Sequence, residues 1–180
     1  MIAETMYHKI ILIHTEVIIM EKLKVGICGA GNIAINAHLP GYQKIDEIEV
    51  VAICDIVIDR AKAAAEKYNI PGYFSSVEEM LEKVDLDIVD VCTWNDGHAP
   101  CTIAAARAGK HVICEKPMST SLSEAKRMLE EVEKAGVKFM LAVPNRWNPA
   151  NMALREMYDN GEFGEVYLWR CTSVYCRLLP

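Results

Sequence analysis

The sequence predicts an α/β fold built on a doubly wound parallel sheet. Six short apolar runs alternate with segments of helical pattern, and near-continuous apolar strands are typical of a sheet that is covered on both faces. The first run leads into a glycine-rich turn, Gly29-x-Gly31-x-x-Ala34, and a helix is expected to leave that turn. The expected strand order is 3-2-1-4-5-6, and ligands bind such sheets where the order reverses.

Turn and capping residues divide the chain into these elements. Ser121-x-x-Glu124 is a capping box, and Pro40-Gly41 is expected to end the first helix. The predicted strands are 23–28, 49–54, 72–74, 86–93, 110–114 and 137–143. The predicted helices run from about 31 to before 40, over 59–67, from a cap at 75–76 to about 84, along the alanine-rich segment that ends at 109, over 121–134 and over about 150–160.

Composition and charge are those of a globular protein with a substantial core. The chain is 52% hydrophobic and 24% charged, and its formal net charge is −6. The negative charge and the lack of a basic cluster argue against nucleic-acid binding. The apolar pieces of residues 1–19 are too short to span a bilayer, so no membrane association is expected.

The cysteines predict reduced thiols. Seven occur, and none are arranged as C-x-x-C, so neither a disulfide framework nor a zinc site is expected, and no metal site is assigned. Cys28, Cys54, Cys92 and Cys114 each lie near the end of an apolar run. Buried thiols in a cytoplasmic protein are the simplest interpretation.

The glycine-rich turn has the residue types that a dinucleotide site needs. Gly29 permits the tight turn, Gly31 lets a pyrophosphate approach the backbone, and Ala34 lets the helix pack close to the strand. The N-terminus of that helix would face the phosphates. The alternative is an ordinary glycine-rich turn. Asp55 ends the second strand about 20 residues further on, where a ribose-binding acid is expected, although it could instead be a turn residue.

Two other segments follow predicted strands at the same edge of the sheet: 93–98 and 115–117. Lys116 precedes Pro117, and proline restricts the backbone of the residue before it. A lysine held in a cleft would suit proton transfer to or from a hydroxyl. The alternative is a solvated loop lysine, which is the usual environment of that residue.

The chain divides into three predicted parts. Residues 1–19 are an N-terminal extension and residues 20–143 a nucleotide-binding domain. Residues 144–180 are interpreted as the beginning of a truncated α+β domain, because the single extended strand predicted at 165–177 cannot make a domain alone. The exposed edge of that strand predicts a homo-oligomer.

Five motifs together resemble the glucose-fructose oxidoreductase / inositol dehydrogenase (Gfo/Idh/MocA) family, from about residue 22 to the end. They are Val25–Gly31, Ala52–Asp55, Asn95-x-x-His98, Gly109–Pro117 and Asn145-Arg146-Trp147-x-Pro149. The resemblance implies an N-terminal Rossmann domain joined to an α/β domain with a large, mostly antiparallel sheet. It also implies oxidation or reduction of a sugar, inositol or related polyol carbon with NAD or NADP.

The resemblance implies a role for each matching residue. The pyrophosphate would lie on Gly29, Ala30, Gly31, Asn32 and Ile33. Asp55 would hold the adenosine ribose and favour NAD, while the nearby Arg60 leaves NADP open. Thr93, Trp94, Asn95 and His98 would line the path to the nicotinamide, with Trp94 standing where the family commonly has proline. Glu115 and Lys116 would lie beside the nicotinamide ribose and the reacting carbon, with Lys116 catalytic, and Arg146 and Trp147 would border them.

Two functions therefore remain open from the sequence. The motif set favours an NAD(P)-dependent oxidoreductase acting on a small sugar or polyol. The substrate-binding histidine and acid of the family belong to its C-terminal domain and are not matched here, which favours a non-catalytic dinucleotide-binding module. An NAD-dependent glycosidase that uses transient oxidation is a third possibility within the family.

Overall fold

The computed structural model describes residues 12–13, 16–17 and 21–172 of the 180-residue chain. The chain forms two compact units, which we call the N-terminal unit, up to Ala142, and the C-terminal unit, from Val143. Within the predicted extension, Leu12–Ile13 pairs with Glu16–Val17 in antiparallel fashion. The rest of that extension lies outside the described residues.

A six-stranded parallel sheet forms the centre of the N-terminal unit. Its strands are β1 (Leu23–Cys28), β2 (Ile48–Cys54), β3 (Gly72–Phe74), β4 (Ile88–Val91), β5 (His111–Glu115) and β6 (Phe139–Ala142). The order in the sheet is β3-β2-β1-β4-β5-β6, and every neighbouring pair is parallel. The doubly wound fold and its strand order are thus confirmed.

The helices that flank this sheet are α1 (the π-helical turn Ala34–His38 followed by Leu39–Tyr42), α2 (Ile58–Tyr68), α3 (Val77–Lys83), α4 (Asn95–Arg107) and α5 (Leu122–Ala135). The C-terminal unit contains α6 (Pro149–Asp159). The predicted caps form, since the hydroxyls of Ser76 and Ser121 accept the N–H groups of Glu79 and Glu124. Among the residues that the structure describes, no helix has the length and apolarity needed to cross a membrane.

The first helix, α1, corrects one prediction. It does not end before Pro40: a π-helical turn, Ala34–His38, continues directly into Leu39–Tyr42. Proline has no N–H, and its ring clashes with the carbonyl four residues earlier in an α-helix. The wider π-turn, in which the Leu39 N–H bonds to the Ala34 oxygen, immediately precedes Pro40, and the helix continues through it.

Two buried clusters cover the sheet, and the alternation along β1 assigns residues to each. Val25 and Ile27 belong to the cluster that includes residues of α1 and α2. Cys28 belongs to the cluster that includes residues of α3, α4 and α5. Successive residues of a strand point to opposite faces of the sheet. Neighbouring residues of β1 are therefore buried against opposite helical layers.

The C-terminal unit corrects a second prediction. Pro144–Trp147 forms a 3₁₀ helix and α6 follows it, but residues 165–172 form no strand. An isolated strand leaves its backbone groups unpaired, and no partner strand is available to it among the described residues of this unit. The remainder of the predicted strand, 173–177, lies outside the described residues.

Met128 and its neighbour Leu129 provide a test of this packing. Met128 is completely buried in the cluster with α3 and α4, whereas Leu129 is 50% exposed on the same helix. We expect Met128→Ala to lower the free energy of unfolding by about 2–5 kcal/mol and Leu129→Ala by less than about 1 kcal/mol. Urea denaturation measures both, and equal losses would contradict the described burial of α5.

Candidate functional site

The glycine-rich turn depends on glycine at two positions for different reasons. Gly29 has a φ of +97°, and a Cβ there would lie 2.7 Å from the carbonyl oxygen of Cys92. A Cβ on Gly31 would meet nothing within 4 Å. Gly29 is therefore required by the backbone itself, while Gly31 leaves open space directly above the turn.

Asp55 joins the end of β2 to this turn. One of its carboxylate oxygens accepts the N–H of Ala30 at 2.8 Å, and the other accepts the N–H of Val57 at 2.8 Å. Each carboxylate oxygen can accept more than one hydrogen bond. The carboxylate is thus held rigidly by main chain and keeps acceptor capacity for a ligand hydroxyl.

One cleft of about 990 Å³ lies along the ends of β1, β2, β4 and β5. It brings together most of the residues predicted from the sequence: Gly29, Ala30, Gly31, Asn32, Ile33, Asp55, Arg60, Thr93, Trp94, Asn95, His98, Glu115 and Lys116. Ser75 and Ser76, at the end of β3, also line it and were not predicted. Their position, as two hydroxyl-bearing residues directly after a strand at this edge of the sheet, could have indicated that they line the cleft.

Arg146 and Trp147 belong to the C-terminal unit and are not among the residues that line this cleft. Both belong to the 3₁₀ helix of the C-terminal unit, and Trp147 is 65% exposed. Arg146 lines a separate cleft of about 640 Å³ with residues of α6 such as Met152 and Glu156. Their predicted role beside a nicotinamide stays a prediction.

His98 holds two loops rather than facing open space. It is 1% exposed. Its Nδ1 lies 2.6 Å from the carbonyl oxygen of Pro117, and its Nε2 lies 3.2 Å from that of Thr93. The ring therefore bridges the segment after β4 to the segment after β5, and it positions the loop that follows Lys116.

Lys116 lines the cleft and is exposed. Its N–H donates to a carboxylate oxygen of Glu115 at 3.0 Å, and the Lys116–Pro117 peptide bond is cis. The backbone of Lys116 is thus anchored on one side by Glu115 and on the other by the contact of Pro117 with His98.

Glu115 belongs to a group of polar side chains, which we call the His38 cluster: His38, Tyr42, Asp90 and Glu115. Asp90 and Glu115 are buried, whereas His38 and Tyr42 are partly buried. His38 Nδ1 is 2.7 Å from an Asp90 oxygen, and Nε2 is 3.1 Å from a Glu115 oxygen. The Tyr42 hydroxyl donates to the same Asp90 oxygen at 2.9 Å. Asp90 is 0% exposed, so a buried carboxyl group has hydrogen-bond partners here.

Asp90 has one cationic neighbour, His38, and two neutral donors, Tyr42 of the cluster and Cys92 beside it. The hydrogen bond to Asp90, with the nearby charges of Asp90 and Glu115, raises the pKa of His38 to about 9 although desolvation opposes this. Burial, and then the charge of Asp90, raises the pKa of the Tyr42 phenol and of the Cys92 thiol. The Cys92 thiol also contacts Asp90 at 3.6 Å.

Sequence reasoning assigned no role to Asp90, His38 or Tyr42, and two signals were present. Asp90 interrupts an apolar strand between Val89 and Val91, and a charge at such a position needs a partner. His38 and Tyr42 are four residues apart on α1, a spacing that places side chains on one helix face. Which strand that face would meet depended on the tertiary fold.

Four of the predicted buried thiols are free and buried, namely Cys28, Cys54, Cys92 and Cys114. Nδ1 of His38, a carboxylate oxygen of Asp90 and Sγ of Cys92 lie within 4.8 Å of one another. The hydrogen bonds between these groups account for that spacing.

The parallel sheet, its strand order and the glycine-rich turn define a Rossmann-type domain. A family model described as "Oxidoreductase family, NAD-binding Rossmann fold", GFO_IDH_MocA, matches residues 23–143. The chain belongs to this family.

Relatives and solved structures match most of the chain. D-glucoside 3-dehydrogenase of Escherichia coli (strain K12) is 36% identical over 146 residues, which are 81% of this chain and 42% of that protein. Myo-inositol 2-dehydrogenase of Thermotoga maritima is 33% identical over 151 residues, 84% of this chain and 45% of that protein. The WlbA dehydrogenase of Bordetella pertussis, solved with NADH and UDP-GlcNAcA, is 32% identical, with a TM-score of 0.77 over 82% of this chain and 45% of that chain.

The chain thus spans less than half the length of these relatives. Within that span, the family and fold implied by the sequence motifs are confirmed.

A comparison of alanine substitutions at Gly29 and Gly109 distinguishes the cost of a steric clash from the cost of backbone strain. Both have positive φ, but a Cβ on Gly109 meets nothing within 4 Å. We expect Gly109→Ala to lower the free energy of unfolding by about 1–2 kcal/mol through its φ alone. Gly29→Ala should cost about 1–3 kcal/mol more, because its Cβ also meets the Cys92 carbonyl. Urea denaturation compares the two variants, and equal costs would contradict the described turn.

The raised pKa of His38 predicts a pH-dependent stability. Since the pKa is higher in the folded chain, the contribution is complete below the ordinary value of 6.5 and is lost as the pH rises through about 9. The difference corresponds to about 3 kcal/mol at most. Urea denaturation across this range should show the loss in the native chain and a flatter profile in His38→Gln. Parallel profiles would contradict the assignment.

Proposed function

We propose that this chain is the cofactor-binding part of an NAD-dependent oxidoreductase. It would transfer a hydride between nicotinamide and a hydroxyl-bearing carbon of a sugar, inositol or related polyol. The observation that carries the proposal is the convergence of Gly29–Ile33, Asp55 and Glu115–Lys116 around one cleft. The family, and the dehydrogenases named above as relatives, support the same chemistry.

The cleft fits a dinucleotide by its own geometry. The open space at Gly31 admits a phosphate close to the backbone, and the first N–H groups of a helix, which lack intrahelical partners, are suited to bind phosphate. The Asp55 carboxylate, held by two main-chain N–H groups, would accept from the ribose hydroxyls. A fixed negative charge there favours NAD over the 2′-phosphate of NADP.

Lys116 is proposed as the catalytic residue. When bound, the nicotinamide supplies the hydride chemistry. Lys116 would accept the proton of the substrate hydroxyl as that carbon is oxidised, and would return it in the reverse direction. Its exposure, its place in the lining of the cleft and its anchored backbone support this role. His98 would act through the loop after Lys116, because both of its ring nitrogens already face carbonyl oxygens.

The C-terminal unit is proposed to begin the substrate domain, with Arg146 and Trp147 bordering the reacting carbon. A cytoplasmic location is proposed because the buried cysteines are free thiols, which suits a reducing compartment. Self-association is proposed on the exposed apolar side chains of the C-terminal unit, including Tyr167, Leu168 and Trp169.

Isothermal titration calorimetry with NAD⁺ and NADP⁺ tests the cofactor proposal. We expect NAD⁺ to bind more tightly than NADP⁺. Asp55→Asn should weaken NAD⁺ binding about tenfold, because a charged acceptor is lost, and should reduce the preference over NADP⁺. Asp59→Asn is the matched control: it changes the net charge equally, but Asp59 does not line the cleft.

Circular dichroism of each variant establishes that the fold is retained in this comparison. Absence of NAD⁺ binding by the native chain would overturn the proposal. Equal effects of the two substitutions would overturn the role of Asp55. Binding of NAD⁺ without reduction of it in the presence of myo-inositol or D-glucosides would favour the non-catalytic dinucleotide-binding module.

A further inference from the structure

The His38 cluster lies beneath the cofactor cleft, and the proposed hydride transfer does not use it. Of its four members only Glu115 lines the cleft. His38 and Tyr42 come from α1, Asp90 from β4 and Glu115 from β5. The cluster therefore connects the helix that follows the glycine-rich turn to β5, the strand that ends at Glu115, directly before Lys116.

Hydrogen bonds run without a gap from Asp90 to the backbone of Lys116. Asp90 holds one nitrogen of His38 at 2.7 Å, and the other nitrogen lies 3.1 Å from Oε1 of Glu115. The second oxygen of Glu115, Oε2, accepts the Lys116 N–H at 3.0 Å. The orientation of the Glu115 carboxylate is thus set by His38 on one side and by Lys116 on the other.

The charge balance of the cluster depends on His38. The side chains of Asp90 and Glu115 are 0% and 8% exposed, and two unpaired carboxylates at this depth would repel each other and be costly to bury. An imidazolium carries an N–H on each nitrogen and donates to both carboxylates at once. A neutral imidazole has one donor and would leave one carboxylate facing a lone pair.

We propose that His38 is a positioning residue for the cofactor site: its imidazolium donates to the Glu115 carboxylate and keeps it aimed at the Lys116 backbone, so that the cleft binds NAD⁺ well only while His38 carries an N–H on both ring nitrogens. The inference rests on the proposed function, since it takes NAD⁺ as the ligand of the cleft. It adds a dependence of NAD⁺ affinity on the protonation of His38, which acts on the cleft through Glu115.

The titratable groups around His38 belong to β4 and the residue after it, to β5 and to α1 itself. Asp90 and Glu115 are the carboxylates, on β4 and β5. Tyr42, one turn further along α1, and Cys92, just after β4, both contact Asp90. The raised pKa values of Tyr42 and Cys92 keep both as neutral donors, while the pKa of His38 near 9 places its proton loss in an accessible range.

Calorimetric titration with NAD⁺ from about pH 7 to about pH 10 tests the inference. In the native chain the dissociation constant should rise about tenfold through pH 9. His38→Gln keeps a polar side chain but no charge, so it should bind about tenfold more weakly at pH 7 and show a flatter profile. Tyr42→Phe is the matched control: it removes a hydrogen bond to the same Asp90 oxygen and leaves the contact between His38 and Glu115.

Asp90→Asn provides a second variant with a distinctive readout. It removes the main cause of the raised His38 pKa and retains the shape of the side chain. The pH at which NAD⁺ affinity falls should therefore move from near 9 towards the ordinary histidine value of 6.5. A role confined to stability would lower the denaturation midpoint without moving this pH.

Each outcome decides the matter. A profile that shifts in Asp90→Asn, flattens in His38→Gln and persists in Tyr42→Phe supports the inference. An unchanged profile in folded Asp90→Asn or His38→Gln overturns it while leaving NAD⁺ binding intact. Failure of the native chain to bind NAD⁺ at any pH overturns the proposed function, and this inference with it.

Discussion

The position of β1 between β2 and β4 is the constraint on which the cleft depends. Because the strand order reverses there, the connection after β1 continues to one side and the connection after β4 to the other, and a cleft remains between them. The glycine-rich turn, Asp55, Thr93 and Glu115 all follow strands whose carboxyl ends lie at that edge. Their convergence is a property of the parallel sheet rather than of any one motif.

Main-chain hydrogen bonds hold the acidic residues of the site. Asp55 accepts from Ala30 and Val57, and Glu115 accepts from Lys116. A carboxylate oriented by backbone N–H groups loses little further side-chain freedom when a ligand binds. The contact between Asp55 and Ala30 also joins the end of β2 to the end of β1.

Charge is distributed in two layers. Asp55, Arg60 and Lys116 line the cleft, whereas Asp90 and His38 lie beneath it. In the buried layer every charge has a partner within hydrogen-bond distance, as the low effective dielectric of a protein interior requires. The two layers meet at Glu115, which is why a proton held by a histidine of α1 can bear on a residue at the end of β5.

The sequence by itself determined the strands, their order, the caps and the glycine-rich turn. These follow from local patterns. Gly29 and Gly31 indicate a turn, Ser121 and Glu124 indicate a helix cap, and the apolar runs indicate strands buried on both faces. The residues predicted around the cleft in the N-terminal unit also followed, because strand ends of a parallel sheet share one edge. The prediction that the first helix ends before Pro40 was wrong. Helix α1 continues through Pro40 because a π-turn directly precedes it.

Only the tertiary structure decided the partners of the buried polar residues. Asp90 was visible as an anomaly in an apolar strand, yet its pairing with His38 and Tyr42 joins residues about 50 positions apart. Likewise, the described part of the strand predicted at 165–177 had suitable residues but no partner among the described residues, and a strand exists only through its pairing. Local pattern specifies what a segment can form, and non-local contact decides what it does form.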